Sequence, residues 1–71
     1  VMLIKRSMTI AGHRTSLALE PEFWDVLDRR AREEALSLPT LIARIDAERA
    51  ADAPDRPLAS AVRVFALKSM G

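Results

Sequence analysis

Cysteine and tyrosine are both missing from these 71 residues, histidine occurs once and glycine only twice. Each shortage excludes a class of chemistry. Without cysteine there is no disulfide and no thiolate nucleophile, and a lone histidine cannot complete a Cys/His zinc set. Gly12 and Gly71 stand too far apart to make a glycine-rich phosphate loop. No run approaches the ~20 apolar residues that span a bilayer, and no signal-peptide pattern is present. The expectation is a cytoplasmic chain with no membrane partner. Asp25 with Asp28, and Glu33 with Glu34, read as exposed helix surface and not as carboxylates sharing an apolar cleft. No catalytic residue, metal ligand or cofactor is assigned, and the chain reads as non-enzymatic.

What is present is apolar surface. Hydrophobic residues make up 49% of the chain, too many for a disordered tail. Yet a chain this short buries only about 60% of the surface its unfolded form exposes. With no covalent or metal staple, the expected remedy is a second copy: an obligate homodimer. The net charge of +1 is nearly neutral but unevenly spread. Residues 1–19 carry Lys5, Arg6 and Arg14 and no acid, whereas residues 20–35 hold six acids against three arginines. An anionic partner at the N-terminal end is therefore indicated.

Apolar spacing divides the chain into segments. Ile4, Met8 and Ile10 share one parity, and Thr15, Leu17 and Leu19 share the other. One strand cannot turn both sets to the same side, because side chains alternate with period two. The register must reset in "AGH" (residues 11–13), where Gly12 supplies the positive φ of a bulge or tight turn. Residues 1–13 are read as an extended arm or short strand, and 14–19 as the principal strand. Pro21 then opens a helix over about 21–34, its acidic start (Glu20, Glu22, Asp25) matched to the helix dipole. Trp24, Leu27, Ala31 and Ala35 form its apolar stripe, and Asp25–Arg29 and Asp28–Arg32 are spaced for i,i+4 ion pairs. Ser37 is a suitable N-cap for a second helix over about 38–50, with Leu38, Leu41, Ile42 and Ile45 on one face. Residues 51–56 are a linker. A third helix over about 57–69 carries Leu58, Ala61, Val62 and Phe65 on one face, while Val64 and Leu67 point elsewhere.

The predicted order is strand, helix, helix and a further helix, an α+β chain that is mainly α. The economical way to complete its core is for the strand to pair with its own copy across a two-fold axis. Leu17, Leu19, Trp24, Leu27, Leu41, Ile42 and Ile45 are the expected dimer core. Arg14, Ser16 and Ala18 then lie on the outer face of a two-stranded ribbon, an element that fits the major groove of B-DNA.

The stretch "TSLALEPEFWDVLDRRAREEALSLPTLIARI" resembles the ribbon-helix-helix superfamily of Arc- and MetJ-like repressors. "AGHRTS", "LEPEFW" and the closing "LASAVRVFAL" are similar to a small bacterial ribbon-helix-helix family with an extra C-terminal helix. Together the matching stretches cover about residues 5–70. The resemblance implies a ribbon-helix-helix core over 14–50, an additional helix in 57–71, and a homodimeric DNA-binding regulator. It also implies base contacts from Arg14, Ser16 and Ala18, and phosphate contacts from Ser37, Leu38 and Thr40 at the second helix N-terminus. Lys5 and Arg6 read either as an arm on the DNA backbone or as a basic tail. Ala18 can offer a base only apolar contact, such as a thymine methyl. The alternative function is a protein-interaction module, antitoxin-like or adaptor, acting through the C-terminal helix. Its Val64 and Leu67 would favour that reading if exposed together.

Overall fold

Two residues decide the N-terminal third of the molecule. In the computed structural model, which describes residues 2–70, Ala11 (φ 51°) and Gly12 (φ 83°) both adopt left-handed backbone. Two consecutive positive-φ residues make a two-residue turn of the primed kind, whose twist matches that of flanking strands. The turn folds β1 (Ile4–Ile10) back on β2 (His13–Leu19) as an antiparallel hairpin, running from Ile4 opposite Leu19 to Ile10 opposite His13. In this register even-numbered residues of β1 share a face with odd-numbered residues of β2. The opposed parities of the two apolar sets are thereby explained. Met8, Ile10, Leu17 and Leu19 all turn inward and are buried.

This corrects the expectation for the strand's partner. β2 pairs with β1 of its own chain, so residues 4–10 are not a free arm. The reason is the turn itself, which brings the strands together at the low entropic cost of a very short loop. Val1 and Gly71, the ends of the expected outer segments, lie outside the described residues.

Three helices follow: α1 (Pro21–Glu33), α2 (Leu38–Asp52) and α3 (Leu58–Ser69). Pro21 begins α1 where its missing N–H costs nothing. Its C-terminal end is a Schellman motif. The Leu36 N–H reaches Ala31 O at 2.9 Å and the Ala35 N–H reaches Arg32 O at 3.1 Å, with Ala35 at φ 55°. Ala35, expected on the helix stripe, is instead the left-handed residue that ends the helix. A Cβ in that conformation costs about 1–2 kcal/mol. Ala35→Gly is therefore expected to raise stability by about 1 kcal/mol, read as a higher urea midpoint with an unchanged denaturant slope. A lower midpoint would show that Ala35 contributes packing that outweighs its strain.

Ser37 caps α2, its Oγ accepting the Thr40 N–H at 3.2 Å and donating to Thr40 Oγ1 at 2.8 Å. Loss of such a cap costs about 1 kcal/mol, so Ser37→Ala is expected to lower the thermal midpoint by a few degrees. An unchanged melt would show the cap to be energetically idle. The loop before α3 is tied down by Arg49, which donates to the carbonyls of Pro54 and Arg56 at 3.1 Å each.

The seven residues expected to form the dimer core are all buried within the single chain. Leu19, Leu27, Leu41 and Ile42 are fully inaccessible. β1 is what closes the core, adding Met8 and Ile10, and α3 adds Val62. The argument from core size for a second copy thus does not hold here. Surface charges also pair differently from the spacing. Asp28 is held by Arg6 and not by Arg32, and among the described residues Asp25 and Arg29 form no ion pair. Arg30 pairs instead with Glu33 and Glu34.

Candidate nucleic-acid interface

The hairpin has two chemically distinct faces. Inward, towards the helices, lie the apolar side chains and Arg6. Outward lie three cross-strand pairs: Lys5 with Ala18, Ser7 with Ser16, and Thr9 with Arg14. Five of these six residues are exposed and Ala18 is half-buried. No acid occurs anywhere in residues 1–19, so this face carries positive charge and hydroxyls without a neutralising carboxylate on its own strands. Among the described residues neither Lys5 nor Arg14 forms an ion pair. At the centre the Ser7 and Ser16 hydroxyls are hydrogen-bonded to each other at 3.0 Å, either one able to donate. Each keeps spare capacity as donor or acceptor for a group placed above the ribbon.

Arg6 lies on the opposite side from Lys5, contrary to the reading of both as backbone contacts in one arm. Its guanidinium grips Asp28 through two hydrogen bonds, 3.0 Å and 3.1 Å, and sits 4.5 Å from the centroid of the Trp24 ring. The alternation of the strand forces this, because residues 5 and 6 must point to opposite faces. Trp24 in turn donates its indole N–H to the Ile4 carbonyl at 2.8 Å. Arg6, Asp28 and Trp24 therefore clamp β1 to α1 and hold the outer face in place.

The junction of β2 with α1 is fastened from the other end of the chain. Arg63 of α3 bonds Glu20 Oε1 through Nε at 3.0 Å, and its guanidinium lies 5.8 Å from the Phe23 ring centroid. Backbone hydrogen bonding at its own position, and then the Arg63 hydrogen bond, hold the Glu20 carboxyl below its ordinary value. Glu34 is lowered as well, chiefly by its hydrogen bond from Arg44. These acids are paired with arginines of the helices.

The second expected element of the site, the α2 N-terminus, is distinct from the hairpin face. Ser37 and Thr40 are exposed there, and Leu38 is half-buried against the core. The anion seat is narrower than a free helix end. Pro39 has no N–H, and the Thr40 N–H is already bonded to Ser37 Oγ. The Leu38 N–H and the Thr40 hydroxyl remain as donors for an approaching phosphate, since the Ser37 hydroxyl already donates to Thr40 Oγ1.

Sequence reasoning placed Arg14, Ser16 and Ala18 on one face, and the structure sets Lys5 beside them. It missed Ser7 and Thr9, which complete that face. The parity switch across "AGH" was the available signal, since a two-residue turn there places Ser7 opposite Ser16 and Thr9 opposite Arg14. No helix of the described residues is long and apolar enough to cross a membrane. No cluster of three or more potential metal ligands occurs among them.

The family profile described as a ribbon-helix-helix domain matches residues 3–70, nearly the whole chain. No curated protein and no solved structure gives a significant match.

Proposed function

Because the chain belongs to the ribbon-helix-helix domain family, we propose that it binds double-stranded DNA as a transcriptional regulator, most simply a repressor, and works as a homodimer. One observation carries this reading: an exposed, acid-free, two-stranded ribbon face bearing Lys5, Arg14 and three hydroxyls. A ribbon two strands wide fits a major groove about 12 Å across. Arg14 reads base edges with Ser16, Ala18 makes apolar contact, and Lys5 with the Ser37–Thr40 turn meets phosphates. Phosphate contacts set position and general affinity, while base-edge contacts set preference. Each copy in the dimer brings its own ribbon, so the preferred DNA carries two half-sites.

The test is a titration of mixed genomic duplex at rising salt, with mass measured by light scattering. Binding that weakens linearly in log–log form with salt, by a protein of twice the chain mass, is the expected outcome. A chain that binds no duplex even at low salt is not a DNA-binding regulator. A protein of single-chain mass that still binds keeps the DNA reading and removes the dimer.

A second reading rests on one feature of α3, although Val64 and Leu67 are not exposed together as that reading required. Val64, Leu67 and Met70 follow one another at three-residue spacing, and Leu67 and Met70 are 66% and 64% exposed. Val64 is half-buried and lines, with Ile45 and Phe65, a groove of about 190 Å³ between α2 and α3. This stripe suits a protein partner, the antitoxin-like or adaptor role, and is compatible with DNA binding on the hairpin.

A further inference from the structure

The hairpin and the helices close their core within one chain, so a second copy has to meet the first on a surface outside that core. We propose that the groove between α2 and α3 is that surface. Two copies join groove to groove about a two-fold axis running along it, α2 of each lying against α3 of the other. The inference rests on the homodimer reading above and deepens it by naming the surface that joins the copies.

Residues 53–57 link α2 to α3, a connection short enough to set the two helices antiparallel and side by side. Between them runs a groove of about 190 Å³ with an apolar floor: Ile45 from α2, with Ala61, Val64 and Phe65 from α3. An apolar cavity of about 150 Å³ holds a benzene, so this groove has room for large side chains of a partner. Leu67 lies three residues after Val64, next to it on the helix surface, and is exposed. It continues the apolar surface past the edge of the groove. An apolar floor inside a charged rim is the anatomy of a protein–protein interface.

The rim identifies the partner. On the α2 side it carries Glu48 and Asp52, and on the other side Lys68 of α3, with Arg56 in the loop that leads into that helix. All four are exposed, and none forms an ion pair among the described residues. Arg49, also on the rim, is already bonded to Asp46 and to the Pro54 and Arg56 carbonyls. One wall is thus acidic and the other basic.

A surface with walls of opposite sign is complementary to its own copy, as a two-fold contact requires. An axis along the groove turns α2 of one copy onto α3 of the other, acid against base on both sides. An axis across the groove would set α2 on α2 and α3 on α3, and that like-charge contact is costly. None of the groove residues belongs to the hairpin, so each copy keeps its ribbon face open.

Sedimentation equilibrium over a wide concentration range, with no DNA present, measures the self-association of the wild-type chain and four variants. Glu48→Lys with Asp52→Lys makes both walls basic, and Arg56→Glu with Lys68→Glu makes both acidic. A third variant carries all four changes, which exchanges the walls and keeps the wild-type net charge. The fourth, Glu22→Lys with Asp25→Lys, changes the charge as the first does, but on α1 and outside the groove. Circular dichroism verifies that each is folded. The expected result is a dimeric wild type, with each single-wall variant at least about 10-fold weaker. The four-change and α1 variants should associate like wild type. Single-wall variants as tight as wild type would overturn the proposal and leave the homodimer joined elsewhere. A four-change variant that stays weak would overturn it too, because the two walls then do not face each other. So would an α1 variant weakened as much as the first, since net charge alone then accounts for the loss. A wild type of single-chain mass throughout overturns it together with the homodimer reading, and leaves the groove to an unlike protein.

Discussion

Trp24→Ala is expected to destabilise the chain by about 3–5 kcal/mol, the usual cost of deleting a large buried aromatic. For a domain of this size total stability is roughly 4–10 kcal/mol, so the variant stands at or near the edge of folding. The indole is 1% exposed and packs in the same cluster as Leu19, Leu27, Leu41 and Ile42. It also does two jobs that a cavity alone would not capture. Its N–H satisfies the Ile4 carbonyl, and its ring underlies the Arg6 guanidinium. Trp24→Phe separates the two. A phenyl ring refills most of the volume and still faces Arg6, but the Ile4 carbonyl loses its donor. The expected loss is about 1–3 kcal/mol, concentrated at the N-terminal end of β1. Urea melts give the global numbers, and amide exchange shows where protection is lost. Trp24→Ala within 1 kcal/mol of wild type would remove the indole from the core. A Trp24→Phe variant with β1 amides as protected as wild type would show that the Ile4 bond is dispensable.

The clamp around Trp24 also shows where sequence reasoning reached and where it stopped. Helix starts were legible because their signals are local: Pro21 at a first turn and Ser37 as a cap lie within two residues of the observed boundaries. The stripes of α1 and α2 were legible because 3.6-residue periodicity is strong over a dozen positions. Ala35 escaped because its left-handed backbone is set by the 31–36 and 32–35 hydrogen bonds, and alanine gives no warning of it. The hairpin escaped for a related reason. A primed two-residue turn is usually announced by Asn-Gly or Gly-Gly, and Ala11 before Gly12 is a weak version of that signal. Arg6 added to the difficulty, since a charged side chain at an inward position looks like solvent-exposed strand. Its inward place makes sense only once Asp28 and Trp24, more than fifteen residues later, are seen beside it. The outer face was half legible. Alternation in β2 was enough to find Arg14, Ser16 and Ala18, but Lys5, Ser7 and Thr9 needed the partner strand.

Arg14→Ala is expected to weaken binding to a preferred duplex by about 1–3 kcal/mol, the value of a good bidentate contact to guanine, while changing scrambled duplex far less. The reasoning is one of supply. Of the six outward residues only Lys5 and Arg14 are charged, and only arginine offers the planar fork that engages two acceptors on one base edge. Arg14 is exposed and held in no ion pair among the described residues, so its fork is not already spent on the protein. Arg6 makes the contrast, with its fork committed to Asp28. Arg14→Lys keeps the charge and removes the fork. It should therefore hold scrambled duplex like wild type yet share most of the alanine variant's loss on the preferred one. Anisotropy titrations at two salt concentrations distinguish the outcomes. If lysine restores full preference, Arg14 acts only as a point charge near phosphates. If alanine lowers both duplexes equally and flattens the salt slope by about one unit, the same conclusion follows. Either result would leave the hydroxyls of Ser7, Thr9 and Ser16, with the Ala18 methyl, as the face's means of telling one base pair from another.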